Sequence, residues 1–72
     1  MRRRVGYGAG KRYQIRVWRG HQCEGLAHAD SLDDAHESAE HMKRNIALQG
    51  DVVVITDLDT AYNSAVWIEK IT

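Results

Sequence analysis

No proline occurs in this chain, and cysteine occurs once. The single cysteine, Cys23, excludes an internal disulfide and suits a reducing compartment. Proline-rich linkers are excluded too, and beyond the first eleven residues there is no low-complexity tract and no internal repeat. Long apolar runs are also missing. Met1-Arg2-Arg3-Arg4 opens like a signal peptide, yet no hydrophobic stretch follows it, and nothing approaches the roughly 20 residues of a membrane-spanning helix. The expectation is a cytoplasmic protein with no membrane partner. Its 72 residues allow one domain near the lower limit of independent stability. A core of that size supplies ~3–5 kcal/mol, so a homodimer or a binding partner is expected.

What is present is divided by charge. The formal net charge is zero. Residues 1–19 nevertheless hold seven basic side chains and no acid, whereas residues 20–72 hold ten acids against Lys43, Arg44 and Lys70. One end can approach a polyanion that the remainder repels; the plainer reading is a solubilising tail beside an acidic surface. Residues 1–11, with Gly6, Gly8 and Gly10 and no apolar period, read as a flexible basic arm, and residues 12–72 as a single domain.

Within that domain the periods are legible. Residues 12–19, RYQIRVWR, alternate, with Tyr13, Ile15 and Val17 on one face and Arg12, Gln14, Arg16 and Trp18 on the other. Gly20-His21 suits a two-residue hairpin loop with glycine first. A loop that tight pairs Trp18 with Cys23, Arg16 with Gly25 and Ile15 with Leu26, and makes residues 22–29 a second strand. Ser31 then opens a capping-box variant with Asp34, and Leu32, Ala35, Ala39, Met42 and Ile46 form one helical apolar stripe. With Gly50 as the stop, the helix spans about eighteen residues. Residues 51–57, DVVVITD, form a strand too continuously β-branched to be bare on either face. After the loop DLDTAYNS, residues 65–71 form the last strand. The fold class is α+β, a ββαββ unit with one helix packed on a mainly antiparallel four-stranded sheet. The helix covers one side. The other keeps apolar residues, both tryptophans among them, and small monomers rarely leave such a patch bare.

Several chemistries are excluded by residue type and spacing. GYGAGKR, Gly6 to Arg12, invites a phosphate-loop reading. The position five before Gly10 is Val5, however, Arg12 stands where a hydroxyl is needed, and a strand rather than a helix follows. His21, Cys23 and His28 lack the paired spacing of a zinc site, and His36 and His41 do not share a helix face. Asp57 and Asp59 hint at calcium, but the other ligands of a calcium loop are absent. No serine or cysteine has a base at a meaningful spacing, so no enzyme activity, cofactor or metal is expected. The row Arg12, Gln14, Arg16, Trp18 and Arg19 is more suggestive. Basic side chains around an aromatic can hold phosphates while the ring stacks on a base. The same residue types dominate protein interfaces. In the third reading Trp18 closes the back of the sheet and the arginines are solvated. The partner-binding candidates are Arg12, Arg16, Trp18 and Arg19, with Lys43 and Arg44 from the helix.

The stretch ADSLDDAHESAEHM…LQGDVVVI…AVWIEK resembles a plan in small bacterial and phage proteins, a Ser-Leu-x-x-Ala helix start, a Gly turn, a β-branched strand and a final strand bearing Trp. It also resembles a small anti-CRISPR protein family in which a sheet curls about one helix. The likeness covers about residues 29–70 and rests on Ser31, Leu32, Ala35, Ala39, Gln49, Gly50 and Trp67. It implies binding to a type I CRISPR effector complex along the surface where target DNA would lie. The leading expectation is therefore a non-enzymatic interaction protein of phage or mobile-element origin that inhibits such a complex in a bacterial host cell. The alternative is a nucleic-acid-binding module using the basic arm and the Arg/Trp strand. A homodimer through the tryptophan-bearing face is the third.

Overall fold

Strand β1 (Tyr13–Arg19) occupies the interior of a four-stranded sheet in the order β2-β1-β3-β4, with β2 (Gln22–Ala29), β3 (Val52–Asp57) and β4 (Ala65–Lys70). The computed structural model describes residues 11–60 and 63–72; the arm expected over residues 1–11 lies outside them except for Lys11. All neighbouring strands are antiparallel. Because β2 and β3 both run against β1, they are parallel to each other, and the chain returns over the sheet through helix α1 (Leu32–Asn45). The order is ββαββ, an α+β fold, as the periods indicated.

The alternation in β1 decides what the helix covers. Tyr13, Ile15 and Val17 are buried and stand opposite Asp57, Ile55 and Val53 of β3. With Ala29, Ala35, Ala39 and Met42, these apolar side chains make the core. On β2 the residues facing the helix are Gly25, Ala27 and Ala29, opposite Val17, Ile15 and Tyr13. Small side chains there let α1 lie close. A Cβ on Gly25 would sit 2.8 Å from Met42 Cε and 3.1 Å from Ile46 Cδ1.

That close approach corrects the hairpin register. Gly20 takes φ 63° as a glycine-first loop requires, and Trp18 does pair with Cys23. A bulge then skips Glu24, so Arg16 pairs with Leu26 rather than Gly25, and Ile15 with Ala27 rather than Leu26. A one-residue slip turns every following side chain to the other face. Here it puts glycine and alanines beneath the helix and sends Leu26 outward.

The helix start is as expected, with Ser31 Oγ accepting from Asp34 N at 3.1 Å. Its end is not. The helix stops at Asn45, four residues short of the expected run, because Ile46 N and Ala47 N both donate to Met42 O, at 2.8 and 3.0 Å, and close the last turn. Asp51 then shapes the exit by accepting from Leu48 N at 2.8 Å, and Gly50, at φ 93°, serves this turn into β3. The last strand ends at Lys70, one residue early. Trp67 is also on the side opposite to the one expected. It stands across from buried Ile55 on the helix side, edge-on to His36 with ring centroids 4.9 Å apart.

Two substitutions separate core filling from close approach. Ile55→Ala, at a fully buried position, is expected to lower unfolding stability by about 2–5 kcal/mol. Gly25→Val, which overpacks the helix contact, is expected to cost about 1–3 kcal/mol. Urea titration followed by circular dichroism measures both.

Candidate functional site

The six residues singled out from the sequence do not form one surface. Arg12 and Arg19 are taken up within the molecule. Arg12 makes a two-pronged ion pair with Asp57, Nε to Oδ1 at 3.0 Å and Nη2 to Oδ2 at 2.9 Å. Arg19 does the same with Asp51, at 3.1 and 2.9 Å, and adds longer contacts to Glu24 at 3.6 Å and to Ile46 O at 3.4 Å. Fork-to-carboxylate geometry of this kind is strong and directional. Both aspartates also accept a loop amide, Asp51 from Leu48 and Asp57 from Asp59. The carboxylate of Asp57, one of the two that hinted at calcium, is therefore occupied. Lys43 bridges Glu40 at 2.9 Å and Glu69 at 3.0 Å on the helix side. Arg44 is exposed on the helix.

Arg16 and Trp18 remain, and they lie together on the face without a helix. The Arg16 guanidinium sits 5.0 Å from the Trp18 ring centroid, within cation–π range. Register places Arg16 between Leu26 of β2 and Val54 of β3, with Ile68 of β4 beyond. A row of Leu26, Arg16, Val54 and Ile68 thus crosses all four strands, and its two ends are 55% and 65% exposed. Val66 widens the apolar area toward the β4 edge. Arg16 Nε is buried and, among the described residues, has no hydrogen-bond partner. Buried donors are almost always paired, and an unpaired one costs on the order of 1–3 kcal/mol. Beside Arg16 the face carries Lys70, Gln14 and His28, the last two in contact at 3.4 Å, and no carboxylate on its central row. Leu26, Val54 and Ile68, missed in the sequence, are set in line with Arg16 by a register that includes the Glu24 bulge, which no local signal marked.

A shallow cleft of about 340 Å³ between α1 and β2 is lined by Ala27, Glu37, Ser38, His41 and Met42. His41 is engaged by the Asn45 side chain, and no hydrogen bond joins Ser38 to His41 or Glu37. Among the described residues no group of three or more His, Cys, Asp or Glu side chains is placed to hold a metal ion. No helix of the described residues is long and apolar enough to cross a membrane. Comparison with protein-family models, with characterised proteins and with solved structures finds no match to this chain.

The ion pairs make acid sensitivity calculable in sign. The hydrogen bonds from Arg19 and Arg12 hold the Asp51 and Asp57 carboxyls below the usual aspartate range. A depressed folded value means that their stabilisation is complete above the ordinary aspartate value of about 3.9 and is lost as pH falls below it. Urea unfolding at about pH 6 and pH 3 should show a fall in stability. Asp51→Asn should be less stable than the wild type at the higher pH and lose less between the two.

Proposed function

We propose that this chain is a small protein-binding module whose contact surface is the helix-free face of the sheet. The observation that carries the reading is Arg16, a guanidinium held over Trp18 in an apolar row with a buried donor left unpaired. An aromatic and an arginine at the centre of an apolar patch are the residue types that dominate interface energetics. The surface calls for a partner that sets a carboxylate within apolar side chains, so that Arg16 is paired as water leaves. A second copy stacked face to face would instead oppose two guanidiniums in a dry contact. The likeness of residues 29–70 to a small anti-CRISPR family supplies the specific partner to test, a type I CRISPR effector complex, and with it an inhibitory role in a bacterial host.

The nucleic-acid reading draws on the same Arg16–Trp18 pair, but Arg12 and Arg19 are already neutralised by Asp57 and Asp51. That leaves fewer described cations for phosphates than the row of arginines promised. Gel filtration of the full chain with a purified type I effector complex should give co-elution that Arg16→Glu abolishes and that a double change at Asp33 and Asp34 on the helix leaves intact. Failure to co-elute removes that partner. Binding of single-stranded DNA by the full chain, weakening steeply between 50 and 200 mM salt by roughly 10³-fold, would replace the protein reading with the nucleic-acid one.

A further inference from the structure

The edge of the sheet at β4 is built differently from the edge at β2. β2 carries a bulge at Glu24, a glycine and two alanines, with Leu26 as its one large apolar residue. Bulges and charges are what natural edge strands use against pairing. β4 also has an irregularity, at Val66, and ends in Glu69 and Lys70, but it presents three consecutive large apolar residues, Val66, Trp67 and Ile68, exposed by 45, 43 and 65%. They point to both faces, and no described strand lies beyond them. The helix packs on β1, β2 and β3 and reaches β4 through His36 at Trp67 and Lys43 at Glu69.

The backbone of this edge is free as well. Ile71 donates to Asp51 O and accepts from Gly50 N, both at 2.8 Å, so its amide and carbonyl point inward. Alternation along an antiparallel ladder turns Glu69 and Trp67 inward too, and leaves the N–H and C=O of Ile68 and Lys70 on the open side. Val66 has no partner on β3, because the register passes from Trp67 opposite Ile55 to Ala65 opposite Thr56.

We infer that β4 pairs antiparallel with β4 of a second copy of this chain, about a two-fold axis perpendicular to the sheet at Trp67. In this register the two Trp67 side chains meet on the helix side as a non-hydrogen-bonded pair, the closer kind of cross-strand contact. Val66 of each copy faces Ile68 of the other on the helix-free side. The segment is self-complementary in this one alignment. Sliding it two residues toward the C-terminus sets Val66 against Lys70 and Trp67 against Glu69. The result is an eight-stranded sheet with both helices on one side and both Arg16 residues on the other. Five strand steps of roughly 4.8 Å separate the two copies of β1, so the two guanidiniums lie about 24 Å apart. This dimer goes beyond the proposed partner binding and does not depend on it.

The test uses the full chain alone. Sedimentation equilibrium should show the 8.2 kDa chain doubling in mass with rising concentration. Ile68→Lys, at a solvent-exposed position, should return it to monomer with an unchanged circular dichroism spectrum, whereas Trp18→Ala should leave the dimer intact. In a Cys23→Ser background, Trp67→Cys should form a disulfide-linked dimer on mild oxidation and Glu69→Cys should not. A wild-type chain that stays monomeric at about 1 mM, where even a contact with a Kd of about 1 mM is half-populated, overturns the inference. So does a dimer that survives Ile68→Lys, and so does one lost with Trp18→Ala, which would move the contact to the helix-free face. Failure of the effector complex to bind would leave every one of these readings unchanged.

Discussion

The pairing of β1 with β3 is the constraint on which the remaining geometry depends. Between its two ends lie Ile15, Val17, Val53 and Ile55, all fully buried. At each end an arginine beside or within β1 grips an aspartate beside or within β3, Arg12 with Asp57 and Arg19 with Asp51. Burying a carboxylate is unfavourable unless its lone pairs are filled. Here each takes both prongs of a guanidinium and one loop amide. The same two aspartates therefore fix register and anchor both connections, the turn that delivers the chain from α1 and the loop that carries it to β4. A one-residue slip of β1 on β3 would break both clasps and expose the core face together.

From that pair the placement of the helix follows, and from the helix the exposure of β4. Gly25, Ala27 and Ala29 on β2 meet Ala35, Ala39 and Met42 on α1. Contacts among small side chains draw the helix toward the β2 side of the sheet. Fourteen residues of helix then cover three strands and touch the fourth at Trp67 and Glu69. The bare edge is thus the far consequence of a glycine and a bulge at the opposite side of the molecule, rather than an isolated property of β4.

Most of the architecture was legible because local signals agreed with one another. The alternation of Tyr13, Ile15 and Val17, the Ser31 cap and the β-branched run at 52–55 all point the same way, and each reports on contacts made nearby. What the sequence hid was set by partners far along the chain. The bulge at Glu24 answers to Met42 and Ile46 pressing on Gly25. The early helix stop leaves Ala47, Leu48 and Gln49, good helix formers, in a turn because Asp51 and Arg19 hold that turn. Trp67 faces the helix because its register is fixed through Ile55. Of the candidate site, the Arg16–Trp18 neighbourhood was visible in the alternation of one strand. The fate of Arg12 and Arg19 was not, because it is decided by two aspartates more than thirty residues away.

A row of arginines on one strand is therefore not yet a charged patch. Whether each becomes a clasp or an anchor depends on what stands beside it. Arg12 and Arg19 flank the two ends of β1, where Asp57 closes the neighbouring strand and Asp51 immediately precedes it, and the loops supply further donors. Arg16 lies in the middle, flanked by Leu26 and Val54, where a carboxylate would have had to be buried within the sheet itself. With no acid beside it among the described residues, its guanidinium lies over Trp18 and keeps an unfilled donor. Among the described residues the buried Nε of an arginine so placed has no hydrogen bond, and an unpaired buried donor is costly. Its position is better matched to a contact that comes from outside the molecule than to the fold that holds it.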